Sequence, residues 1–323
     1  MSGVMSLRAP VVADCYDFFD RVFPQCGFLD YTEGMYLGRA ETSYEEAQAN
    51  QINWLLNQAR CAAGSRIVDI GCGNGTLLNA ASRRGAQAVG ITISKPQVRR
   101  FRRSGLDARL IDYRDIPREW DGAFDAIVAN GSLEHFAQPA DVRDGRHDQV
   151  YRELFAICHR LLKPTSSSRR FVTTAIPGHD ESPPIDPLDG NSKLDAFPAG
   201  SPQFHYQLMQ RTFGGYYPSM GQLERCAGHF FKLIETVDGT EDYRRTSEAW
   251  FDRVRRSLRT WTTGVRIWPR LALYALKRPR HCLEMYRCLL TSESWQYQLR
   301  GVVPPTRLLR HVWEYQKHET ENA

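Results

Sequence analysis

No stretch of this 323-residue chain approaches the ~20 consecutive apolar residues that a membrane-spanning helix needs, so no such helix is expected. Met1–Pro10 lacks the charged-then-apolar layout of a secretory leader. The eight cysteines, at 15, 26, 61, 72, 158, 226, 282 and 288, form no C-x-x-C pair. That speaks against a zinc site or a disulfide framework, and for reduced thiols in a cytoplasmic protein that holds no metal. No internal repeat and no nucleic-acid module is visible. Acidic residues are scarce toward the C-terminus. Residues 244–317 hold 16 Lys/Arg against 5 Asp/Glu, a balance of +11, whereas the whole chain is only +5 and the remainder therefore −6. Trp250, Trp261, Trp268, Tyr274, Tyr286, Trp295, Trp313 and Tyr315 are interleaved with those basic residues. Two readings stay open for this stretch: a peripheral contact with an anionic membrane surface, or a solvated face whose aromatics turn into a core.

What is present centres on residues 66–75, Arg-Ile-Val-Asp-Ile-Gly-Cys-Gly-Asn-Gly. Ile67, Val68 and Ile70 read as a strand buried on both faces of a parallel sheet. Gly71, Gly73 and Gly75 let a ligand lie on the main chain, and a helix over Leu77–Arg84 points its free N–H groups at the same spot. The spacing G-x-G-x-G is not the G-x-G-x-x-G that seats a pyrophosphate. With Asp69 before it, the turn resembles motif I of the class I S-adenosylmethionine (SAM) methyltransferases.

Strands and helices then alternate, the mark of a doubly wound, Rossmann-like α/β sheet. Strands are expected at 66–70, 88–93, 108–111, 124–129, 171–176 and 231–237. Helices are expected over Val11–Phe23, from Ser43 to Ala63 behind a Thr42/Ser43 cap, from Pro96, and over Val150–Leu162. Asp69 and Gly71, Thr92, Asp112, and Asn130 with Glu134 all fall at carboxyl ends of strands, where such sheets bind ligands. Residues 177–220, rich in proline and glycine, read as an irregular insertion that covers the substrate. From Met220 the chain reads as helical except for 231–237. The organisation is thus a helical lid (1–63), a sheet core (64–176), the insertion with the last strands (177–243), and a basic, aromatic helical extension (244–323).

Asp69–Gly75, Gly90-Ile91-Thr92-Ile93-Ser94-Lys95-Pro96-Gln97, Asp112-Tyr113-Arg114-Asp115, Leu133-Glu134-His135-Phe136 and Tyr243-Arg244-Arg245-Thr246 together resemble the cyclopropane fatty acid synthase and mycolic acid methyltransferase family. The resemblance covers roughly residues 28–260. It implies SAM as cofactor, with Gly71, Gly73 and Gly75 along its methionine part and Thr92, Ile93 and Gln97 at its ribose and adenine edge. Asp112 and Tyr113 would flank the adenine, Tyr31 and Thr32 would close over the cofactor, and Asp69 and Asn130 would complete its site. Glu33, Glu134, His135 and Tyr243 are the expected catalytic set. The implied activity is C-methylation or methylene transfer on an unsaturated acyl or lipid-like chain. N- or C-methylation of a small hydrophobic metabolite is the alternative, a SAM-binding protein without catalysis the third reading, and homo-oligomerisation is open.

In that family a bicarbonate ion, held by a lid cysteine and a fifth-strand histidine beside the glutamate and tyrosine, accepts the proton. Here the two positions read Glu33 and Thr174. Two carboxylates sharing one site repel a further anion, so either Glu33 is the base itself or the substrate is not an unactivated alkene.

Overall fold

The computed structural model describes residues 9–28, 30–178, 186–187 and 196–317. Most of Met1–Pro10, Leu29 and much of the proline-rich part of 177–220 lie outside the described residues, as do the last six positions. In chain order the elements are α1 (Pro10–Val22), α2 (Tyr44–Gln58), β1 (Arg66–Ile70), α3 (Thr76–Arg83), β2 (Gln87–Thr92), α4 (Lys95–Ser104), β3 (Asp107–Leu110), β4 (Ala126–Asn130), α5 (Pro139–Arg143), α6 (His147–Leu161), β5 (Arg170–Ala175), α7 (Pro202–Phe213), α8 (Gln222–Ala227), β6 (Phe231–Asp238), α9 (Thr240–Arg259), α10 (Trp261–Lys277), α11 (Pro279–Tyr286), α12 (Ser294–Tyr297) and β7 (Leu309–Tyr315).

The seven strands form one sheet in the order β3-β2-β1-β4-β5-β7-β6. Pairing is parallel from β3 to β5, and β7 runs antiparallel to both its neighbours. This is the class I methyltransferase sheet. The apolar run of β1 places Ile67 on one face and Val68 and Ile70 on the other, because successive side chains of a strand alternate. Ile67 joins Val128, Val172 and Val312 under Ile52, Leu55 and Leu56 of α2. Val68 and Ile70 join Phe171 and Trp313 under Leu154, Phe155 and Cys158 of α6. The strand order reverses between β1 and β4, which opens a crevice at their carboxyl ends.

The α2 helix begins with the expected cap: Ser43 accepts from the Glu46 N–H while the Glu46 carboxylate accepts from the Ser43 N–H. It stops at Gln58 rather than Ala63. A third apolar cluster lies over the crevice, where Phe18, Phe19 and Phe23 near the N-terminus pack on Trp250, Phe251, Tyr274, Met285 and Trp295. The lid is therefore held by the C-terminal helices.

Two expectations are corrected. Residues 177–220 are not irregular throughout, since they contain α7, capped by Ser201 and carrying Phe204, Leu208 and Met209 into a core. Residues 244–323 are not all helical. Leu309–Tyr315 is the seventh strand, buried between β5 and β6, with Arg310 and His311 inside the protein. Five of the eight aromatics in that stretch, Trp250, Tyr274, Trp295, Trp313 and Tyr315, are core residues, whereas Trp261, Trp268 and Tyr286 are exposed.

Candidate active site

Three cavities adjoin at the carboxyl ends of the strands, and Tyr16 of α1 borders all of them. The first two hold the glycine turn. A cavity of about 40 Å³ is walled by Asp30, Tyr31, Thr32, Asp69, Gly73 and Asn130. Beyond Gly71 and Gly73 lies one of about 100 Å³, bordered by Thr92, Ile93, Gln97, Asp112 and Tyr113. Every residue expected at the cofactor faces one of these spaces except Gly75.

Gly73 and Gly75 differ in what they do. Both have positive φ, +47° and +79°. A Cβ at Gly73 would project toward the open cavity, 3.9 Å from the Asp30 carboxylate. At Gly75 it would overlap the Phe101 ring, so Gly75 starts α3 in the left-handed region and packs on α4. Gly75 is the one expected cofactor residue that borders neither cavity.

The small cavity holds a residue that sequence reasoning missed. Asp30 is buried, and its carboxylate accepts from the Tyr31 N–H at 2.7 Å. Burial raises its pKa. Asp69 is pushed up to about 8, first by burial and then by the field of Asp30. Two buried carboxylates, with Arg100 only partly offsetting the burial of Asp30, form a seat for an ammonium group. Only their shared character as acids could have hinted at the pairing, since 39 positions separate them.

In the larger of the two cavities, the Thr92 hydroxyl donates to the Gln97 side chain at 2.6 Å, and Ser94 caps α4. Asp112 accepts from the Arg114 N–H. Tyr113 borders the space, but its ring stacks on Phe136 with centroids 4.5 Å apart, so that face is already covered. The lid is tied to the turn by a chain of polar contacts. The Tyr31 hydroxyl donates to Asp20 at 2.9 Å, and Arg100 bridges Asp20 to Asn74.

The third cavity, about 450 Å³, opens from the same point. Its walls are mostly apolar, with Phe19, Ile176, Met209, Phe213, Trp295 and Leu308, and Glu33, Glu134, His135 and Tyr243 line it too. The four residues expected at the reacting centre thus meet, from the lid, the end of β4 and α9.

Glu33 is 2% exposed. Its carboxylate accepts from Gln51 Nε2 at 2.5 Å and from Thr32 Oγ1 at 3.0 Å. Burial raises its pKa, while the buried Arg310 and bonds from Thr32 and Thr174 act the other way. Arg310 is 2.7 Å from Gln51 Oε1 and 3.0 Å from Asp242. Thr174 donates to Asn130 Oδ1 at 3.0 Å, and Asn130 donates to Thr32 at 2.5 Å. The positions that the resemblance associates with an anion are therefore filled by a continuous protein network built around a carboxylate.

Glu134 contrasts with its neighbour. Its Oε2 is buried with no partner, and burial, with the Glu33 charge adding, raises its pKa to about 8. Burial raises both carboxyls, and the charge of Glu33 adds to the rise at Glu134, so the pair resists carrying two charges at once. His135 is pushed down to about 4 by burial and stays neutral, its Nε2 3.2 Å from the Tyr16 hydroxyl. Among the described residues, no group of three or more His, Cys, Asp or Glu is placed to hold a metal ion.

The chain is similar to several known proteins. It is 36% identical over 109 residues to a probable fatty acid methyltransferase of Pseudomonas putida, matching 31% of this chain and 27% of that one. The chain spans about a quarter to a half of the length of the curated relatives it matches. Its fold is that of the cyclopropane synthase MmaA2 from Mycobacterium tuberculosis, with TM-score 0.66, 19% identity, and 96% and 99% of the two chains covered. The mycolic acid cyclopropane synthase CmaA1, solved with SAH and CTAB, matches over the same shares with TM-score 0.68 and 19% identity. The family model described as mycolic acid cyclopropane synthetase matches residues 8–264, and the chain belongs to that family.

Proposed function

We propose that this protein is a SAM-dependent methyltransferase that alkylates a carbon of an unsaturated fatty acyl or similarly apolar chain. One observation carries the reading: a mostly apolar cavity of about 450 Å³, lined also by Glu33 and Glu134, meets the glycine-turn cavities at Tyr16, Tyr31 and Gly131. That volume lies in the range of small-molecule sites, and walls of this kind suit a chain better than a polar metabolite.

The residues fit SAM. Asp30 and Asp69 would hold its ammonium group, the open side of Gly73 its methionine backbone, and Thr92, Ile93, Gln97 and Asp112 its ribose and adenine. When bound, SAM supplies an electrophilic methyl group. The apolar walls would exclude water and hold the chain in line. Glu33, fixed by Gln51 and Thr32, would in its ionised form accept the proton that the alkylated carbon chain releases. Glu134, carrying its proton, and Tyr243 would border the reacting carbon without adding charge. A built-in carboxylate requires no recruited anion.

Incubation with SAM labelled in its methyl group and total cell extract, followed by separation into lipid and polar fractions, tests this. Label in lipid is expected. Label in the polar fraction alone favours methylation of a small amine, for which the carboxylate pair would be the seat, and label in neither fraction overturns catalysis.

A further inference from the structure

The α10 helix has two apolar faces where a globular helix needs one. Gly264, Ile267 and Tyr274 turn inward, and Tyr274 packs edge-on against Phe18 of α1 with centroids 5.4 Å apart. Trp261, Val265, Trp268, Ala272 and Leu276 recur at intervals of four, three, four and four residues, which puts them along a second stripe. That stripe faces solvent: Trp261 is 83%, Trp268 55% and Leu276 81% exposed. Leu283 and Tyr286 on the adjoining α11 are exposed as well. A contiguous apolar surface of this kind marks a docking site.

Charge says what docks there. From Arg253 to Leu283 the chain has nine Arg/Lys and no acidic residue. Arg266, Arg270 and Lys277 make no ion pair with the described residues, and all three are exposed. A helix with tryptophans and leucine along one side and Arg266, Arg270 and Lys277 along another, roughly 140° around the axis, matches one lying in a lipid interface, where long basic side chains reach back to anionic headgroups. A second copy of the chain would set like charge against like charge, and a nucleic acid would gain nothing from a stripe of Val, Ala and Leu.

We propose that α10, with α11, docks the protein on an anionic lipid surface. The segment lies almost wholly beyond residues 8–264 that the family model matches. Its position has a consequence for the cavity. The Tyr274 hydroxyl lies 3.1 Å from the Asp14 carbonyl of α1, and Arg278 pairs with the Asp14 carboxylate at 3.3 Å. Tyr16 and Phe19, on the same helix, border the 450 Å³ cavity. The docking helix is thus one layer from the roof of that space, and a lipid surface would lie beside the lid. This surface would bind lipid whether or not the cavity below alkylates a chain.

Flotation of the full-length protein with vesicles of phosphatidylcholine, with and without phosphatidylglycerol, is the test. Binding is expected only with the anionic lipid, weakening as salt rises. Arg266→Glu/Arg270→Glu should bind those vesicles roughly 30-fold more weakly. Trp261→Ser/Leu276→Ser should bind roughly tenfold or more weakly. All four side chains are exposed, so melting temperatures should match the parent protein. Equal recovery on both vesicle types, parent-like binding by both double variants, or tighter binding to poly-glutamate or duplex DNA than to the anionic vesicles would each overturn the proposal. So would a stable dimer of the parent protein that either double variant dissociates.

Discussion

Asp30 and Asp69 both line a cavity of about 40 Å³ at the glycine turn, and the charge of Asp30 adds to burial in raising the Asp69 carboxyl to about 8. If the ammonium of SAM sits between them, binding at neutral pH must expel a proton. The sign follows from linkage. The complex favours the ionised carboxylate, so affinity rises with pH up to about 8, by at most roughly tenfold per unit, and then levels off. Calorimetry in buffers of different ionisation enthalpy should detect the released proton, and Asp69→Asn should abolish the release together with most of the affinity. Affinity independent of pH between about 6 and 8 would refute the ammonium seat.

Gly73 and Gly75 separate binding from folding. Gly73→Val places a branched side chain in the cavity and should remove SAM binding, with a cost in stability of about 1–3 kcal/mol from the positive φ. Gly75→Ala should lower the melting temperature more, because its Cβ meets Phe101, and should leave the affinity of the folded fraction near the parent value. The reverse ranking in calorimetry and thermal melts would overturn these placements.

Glu33→Gln keeps the size of the side chain but removes its basicity and one of its two acceptor oxygens. Turnover should fall by roughly 10²–10⁴-fold, the usual worth of a general base, with SAM affinity little changed. Added bicarbonate should not raise the parent activity. Normal turnover by Glu33→Gln, or activation of the parent by bicarbonate, would show that the base lies elsewhere.

The pH profile should expose the carboxylate pair. Glu33 must be ionised to accept a proton, and burial raises its pKa, so turnover at saturating SAM should rise across a range above that of an ordinary carboxylate. Glu134 loses its proton near 8, placing two charges side by side in a dry site, so turnover should fall above that pH. Glu134→Gln mimics the protonated form and should lose the falling limb while keeping most of the activity. A falling limb that survives unchanged in Glu134→Gln would exclude this assignment.

The stability of the fold around the site carries its own pH signature. His135 is held at about 4 by burial, below its usual value near 6.5. As pH drops below about 6.5 the unfolded chain takes up a proton that the folded one resists, so this site contributes stability above that pH and loses it progressively down to about 4. His135→Gln should melt with a shallower dependence on pH over that interval. An unchanged dependence would mean that other groups dominate.

Local chemistry wrote much of this protein into its sequence. The β1 run, the glycine turn, the Ser43 cap and the strand ends at Thr92, Asp112 and Asn130 could be read because each rests on neighbours a few residues apart, where periodicity and conformational preference act. The seventh strand, Leu309–Tyr315, could not, because Arg310 and His311 make it look like surface. Arg310 is tolerated inside only because Gln51, the Gly34 carbonyl and Asp242 come to it from distant parts of the chain. The division of the C-terminal aromatics between core and surface was also undecided, since helical spacing supplies two candidate faces to α10 and only the packing of Phe18 on Tyr274 selects the buried one. The pairing of Asp30 with Asp69 belongs wholly to the tertiary structure, whereas that of Glu33 with Glu134 was expected from the family resemblance. A carboxyl acquires an unusual pKa from the charges and the dryness that the fold places around it, and no spacing along the chain encodes those.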